Sequence, residues 1–100
     1  MIQDNEQVNV EFHNQAKEIF LSILNEFRQS VSSTSRTHNE YLFQQLKEQH
    51  VKTFKQRLEM IANQLIRKHQ HSHELNRLNQ NFGQFIKDYL HQFVQETKRI

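Results

Sequence analysis

The chain has 100 residues, of which 35% are hydrophobic and 24% charged, and its formal net charge is +2. It contains no proline, no cysteine, no tryptophan and one glycine, Gly83. That composition excludes a disulfide scaffold and a cysteine-based zinc finger. It also excludes folds rich in tight turns, because proline and glycine are the usual punctuation of loops.

What remains is an all-α chain of long helices with few breaks, expected to form a single helical domain over residues 1–100. Fourteen glutamines and nine asparagines stand where an average chain would carry more apolar residues. Low hydrophobicity with a large net charge would point to disorder, but the net charge is small and the eight phenylalanines require a packed core. The first residues, Met1 to Glu6, have neither the basic start nor the apolar run of a secretory signal. No stretch approaches the roughly 20 apolar residues of a membrane span. A cytoplasmic location without membrane contact is therefore expected.

The first helix is expected over about residues 5–29. Phe12, Ala16, Ile19, Phe20, Ile23, Leu24, Phe27 and Val31 recur at intervals of three and four, which places them on one face. The run Ser30-Val31-Ser32-Ser33-Thr34-Ser35 is the only segment resembling a linker. Its hydroxyls compete for backbone hydrogen bonds and favour caps and turns over helix interior. Thr37 and Glu40 then have capping-box spacing, so the second helix is expected to begin at His38.

That second helix is expected over 38–69. Val51, Phe54, Leu58, Ile61 and Leu65 step by three, four, three and four, and Phe43 and Leu46 extend the stripe backward. The third is expected over 73–98, with Leu75, Leu78, Phe82, Phe85, Ile86, Tyr89, Phe93, Val94 and Ile100 as its stripe. Between them lies Lys68-His69-Gln70-His71-Ser72-His73, which holds a serine cap but no glycine or proline. The heptad phase from Val51 passes through this segment to Phe93 without a slip. Two architectures therefore compete: a hinged three-helix bundle, which is favoured, and a hairpin containing one helix of about 60 residues, roughly 90 Å long at 1.5 Å per residue.

Adjacent apolar pairs such as Ile19–Phe20, Ile23–Leu24 and Phe85–Ile86 widen each stripe beyond a two-stranded seam. Each helix then needs two neighbours. A bundle supplies them, and two copies supply them more comfortably, so a homodimer is expected. Charge points the same way. Residues 1–30 carry five acidic and two basic side chains, whereas residues 36–77 carry eight basic and four acidic ones. Such a chain attracts an oppositely patterned neighbour.

Three groups of residues bear on chemistry. His69 and His73 are four apart and share a face if the helix continues, a spacing able to chelate zinc, nickel or copper. His71 would then point away and only Glu74 is nearby, so no metal site is expected and the segment reads as a solvated helix end. Asp88 and His91 have the carboxylate-x-x-histidine spacing of metal-binding bundle helices, but a second pair is lacking unless a dimer supplies it. Lys47, Lys52, Lys55, Arg57, Arg67, Lys68 and Arg77 make the middle basic, as a phosphate-binding surface would be. On a helical wheel His50, Arg57 and Lys68 fall on one flank of the apolar stripe and Lys52 and Lys55 on the other.

Gly83, inside the third helix, reads equally as a close backbone approach or a tolerated defect. There is no cysteine, the serines lie in the linker-like run or singly on helices, and no paired carboxylates or glycine-rich loop occurs, so neither an enzyme nor a cofactor is expected. The reading is a non-enzymatic protein-interaction module: a small adaptor, regulator or inhibitor with a protein partner. A nucleic-acid-binding regulator, using His50, Lys52, Lys55, Arg57, Arg67, Lys68 and Arg77, comes second. A structural coiled-coil component comes third.

Overall fold

A computed structural model describes residues 4–32, 40–69 and 75–100. Three helices make up the fold: α1 (Asp4–Ser32), α2 (Glu40–Lys68) and α3 (Leu75–Thr97). Each packs against the other two. The assembly is 56 Å long and about 18 Å across, an up-down-up bundle in which α1 and α3 run parallel and α2 opposes them. No strand occurs among the described residues, and no helix among them is long and apolar enough to cross a membrane.

The three stripes read from the sequence are the three walls of one core. Phe12, Ala16, Ile23, Leu24, Phe27 and Val31 of α1 are buried, as are Phe54, Leu58, Ile61 and Leu65 of α2. Leu78, Phe82, Tyr89 and Phe93 complete it from α3. Phenylalanine sets the registers. Midway along the bundle Phe20, Phe54 and Phe93, one from each helix, form a triangle with ring centroids 5.0 to 5.7 Å apart. Toward one end Phe12 stacks on Phe82 at 4.9 Å and 15°. Toward the other, Phe27 meets Phe43 at 5.6 Å. Offset-stacked and edge-to-face pairs of this kind fix relative helix positions more sharply than aliphatic contacts do.

The competition between bundle and long helix is thereby resolved. α2 ends at Lys68, its last turn closed by the His69 amide on the Leu65 carbonyl at 3.0 Å, and α3 returns along the bundle. The unbroken heptad phase is a coincidence of two stripes that face the same core from antiparallel helices. Most of each apolar face is covered within one chain, so any self-association is left with the edges of the stripes and the residues outside them.

One boundary differs from expectation. α1 continues through Ser30 to Ser32, because Val31 is buried beside Phe27 and holds the final turn in place. The capping threonine, Thr37, lies outside the described residues, as do His71, Ser72, His73 and Glu74; Glu40 is the first described residue of α2. Val8 and Thr97 are also buried, and the Thr97 hydroxyl donates to the Val94 carbonyl at 2.6 Å, which satisfies its burial.

Charge complementarity works inside the chain. The acidic flank of α1 lies along the α1-facing flank of α2. Lys68 pairs with Glu11 at 3.6 Å, and Glu26 borders the same surface depression as His50. Part of the uneven charge of the sequence is thus matched between two antiparallel neighbours, through Glu11 and Lys68.

Gly83 is exposed, and a Cβ built on it meets nothing within 4 Å, so no described part of this chain approaches it. Gly83→Ala is expected to stabilise by up to about 1 kcal/mol through helix propensity alone. Phe54→Ala, which opens the central triangle, is expected to cost about 3–5 kcal/mol. For a domain of this size the first raises the melting temperature by a few degrees and the second lowers it by well over ten. Thermal melts followed by circular dichroism check both. An unchanged melt for Phe54→Ala would show that the triangle is not the core.

Candidate functional site

The basic residues proposed for contact do not converge on one surface. His50 is half-buried: its Nδ1–H donates to the Leu46 carbonyl at 2.7 Å, and its ring stands edge-on to Phe27 at 5.4 Å. Arg57 lies along the α1–α2 seam beside Gln15 and Ile19. Lys68 is held by Glu11. Lys52 and Lys55 are exposed on the other flank of α2, where Glu48 accompanies Lys52. Arg67 and Arg77 are exposed on separate helices. The flank that looks most like a phosphate-binding row in the sequence instead faces acidic α1.

The metal candidates fare similarly. Asp88 and His91 are both exposed, and Asp88 accepts a hydrogen bond from the Gln84 amide at 3.0 Å. His69 turns its Nε2 into the protein without a hydrogen-bond partner, while His73 lies outside the described residues. Among the described residues no three histidine, aspartate or glutamate side chains gather as metal ligands.

The best-formed concavity is elsewhere, in the groove between α1 and α3, with a volume of about 450 Å³. From α1, His13, Lys17, Phe20 and Leu21 form one wall. From α3, Phe85, Asp88, Tyr89 and Gln92 form the other. Both walls follow from helical spacing: positions 13, 17, 20 and 21 share one side of α1, and 85, 88, 89 and 92 share one side of α3. Phe20 and Phe85 belong to the apolar stripes, yet each is half-buried and shows part of its ring to the groove. Leu21, absent from the apolar stripe, stands on the rim at 66% exposure, and Val10 is 52% exposed further along the same side of α1.

One polar bridge crosses the groove floor. The His13 Nδ1 lies 2.8 Å from the Tyr89 hydroxyl, although the two residues are 76 positions apart in sequence. The ring also packs against Phe85 at 4.4 Å and stands edge-on to Phe12 at 6.0 Å. Burial, reinforced by the neighbouring Lys17 ammonium, holds the His13 imidazole below the ordinary histidine value. Burial also raises the Tyr89 phenol. Both groups are therefore neutral near pH 7, and in the Nε2–H tautomer the phenol donates to Nδ1. The pair ties α1 to α3. No serine, threonine or cysteine lines the groove, and Lys17 and Asp88 are the other ionisable side chains beside the pair.

No known protein family, characterised protein or solved structure matches this chain. Its function is therefore a matter of what the groove can hold.

The His13–Tyr89 bridge carries a pH dependence. The unfolded chain binds the His13 proton more tightly than the folded one does. Stability from this site is thus complete above the ordinary histidine value of about 6.5 and declines as pH falls through the lower folded value. Between pH 7.5 and 5 the wild type should lose more melting temperature than His13→Gln, which keeps a polar bridge but cannot titrate. Parallel losses in the two proteins would show that His13 contributes no such linkage.

Proposed function

We propose that this chain is a non-enzymatic protein-interaction module, an adaptor, regulator or inhibitor, whose partner seats in the α1/α3 groove. The observation that carries the proposal is an open aromatic cleft beside a leucine left 66% exposed in a chain otherwise short of apolar residues. The core has no use for Leu21, and Phe20 and Phe85, though packed against the core, keep part of their rings open at the same solvent-facing seam. Apolar and aromatic groups at the centre with polar ones around them is the usual make-up of a protein contact. Lys17, Asp88 and Gln92 supply that rim.

Nucleic-acid binding draws less support, because its candidate cations are split between the two flanks of α2 and a separate helix, and Lys68 already faces Glu11. A non-enzymatic role draws its support from the make-up of the groove, an aromatic cleft with a polar rim and no serine, threonine or cysteine in its lining. The cytoplasm is taken as its setting.

Site-specific photocrosslinking tests the proposal in the protein's own cells. A benzophenone side chain at position 21 should form discrete protein adducts. The same group at Gln56, on the exposed side of α2, should not. Adducts with nucleic acid, or equal and diffuse labelling from both positions, would overturn the assignment.

A further inference from the structure

We propose that the occupant of the α1/α3 groove is the same groove of a second copy, forming an isologous dimer about a two-fold axis that runs along the bundle. This deepens the interaction reading above and rests on it.

The face is self-complementary in three respects. It carries a cleft of about 450 Å³ and, on the cleft's own rim, the exposed Leu21. An isologous contact needs such a knob and hole on one surface, because each copy must supply both. The face also carries opposite charges on opposite walls: Lys17 on α1 and Asp88 on α3. Neither has an ion-pair partner among the described residues, and Asp88 is held only by the Gln84 amide. Finally, a bundle 56 Å long and 18 Å wide offers a side large enough for the roughly 800 Å² per partner that a stable contact buries.

The axis direction follows from the charges. α1 and α3 are parallel, and His13 meets Tyr89 while Phe20 meets Phe93, so Lys17 and Asp88 lie about one helical turn apart along the bundle, a span that a lysine side chain can cover. A two-fold axis along the bundle lays each α1 over the partner's α3 and sets Lys17 of each copy against Asp88 of the other. An axis across the bundle would lay α1 on α1 and bring the two lysines together, which like-charge repulsion disfavours. The dimer expected from broad apolar stripes is thus placed at their uncovered edges, Phe20 and Phe85, together with Leu21, which lies outside the stripe.

The pairing has a specific test, run at pH 8 so that His13 is neutral in every variant. Light scattering at tens of micromolar should give a dimer mass for the wild type. Lys17→Glu and Asp88→Lys should each be monomeric, since each variant meets its own kind with two like-charge contacts. Mixed one to one, they should recover a dimer that native mass spectrometry shows to contain one of each. In that mixed dimer the carboxylate introduced at position 17 faces the ammonium introduced at position 88, and the unaltered Asp88 faces the unaltered Lys17. Leu21→Asp should be monomeric alone and in a mixture with either charge variant. A monomeric wild type, single variants that remain dimeric, or a mixture that stays monomeric would each overturn the pairing. A position-21 crosslink to an unrelated protein, with a monomeric wild type, would overturn the self-pairing alone and leave the interaction module standing.

Discussion

Everything in this structure depends on the triangle of Phe20, Phe54 and Phe93, in which each helix contributes one ring and each ring touches the other two. A chain with no proline and one glycine has few local devices for stating where its helices lie relative to one another. Loops built from special backbone conformations are scarcely open to such a composition, and no described residue, glycine included, has a positive φ. Position must then come from side chains. Large flat rings with preferred mutual angles provide it where leucines alone would allow sliding. Once these rings are in register, Phe12 meets Phe82, Phe27 meets Phe43, and Glu11 arrives opposite Lys68.

The triangle also determines what is left over. Three helices around one core leave three seams, and the α1/α2 seam carries the Lys68–Glu11 pair toward one end and Arg57 beside Gln15, Ile19 and Met60 further along. The α1/α3 seam differs because α1 and α3 run parallel, which places His13 at the height of Tyr89 and leaves Phe20, Leu21 and Phe85 incompletely covered. A fold that economises on apolar residues elsewhere has kept several of them at this seam. Function is therefore sought there, and the self-pairing proposed for it uses residues that the core does not need.

Much of the fold is legible in the sequence and little of the groove. The stripes Phe12 to Val31, Val51 to Leu65 and Leu75 to Phe93 are plain because helical burial repeats every three to four residues within a single element. The end of α1 is misread at Ser30, since a serine's local preference is weak against the burial of its neighbour Val31. The contacts of the basic flank of α2 are illegible for a related reason. A helical wheel shows which cations share a side, but not that Lys68 on that side meets Glu11 of α1. His13 and Tyr89 cannot be paired from spacing at all, because their contact depends on the register of two helices and spans 76 positions of sequence. The one usable hint is Leu21, a leucine outside its helix's apolar stripe.

The closure of three helices within one chain is tested most directly by nuclear Overhauser contacts in a mixture of isotope-labelled and unlabelled protein. Contacts among the rings of Phe20, Phe54 and Phe93 should appear only within a labelled chain, and filtering for contacts between chains should remove them. Intermolecular contacts among those three rings would contradict the closure, for they would mean that α2 and α3 continue as one helix and that the core belongs to two chains.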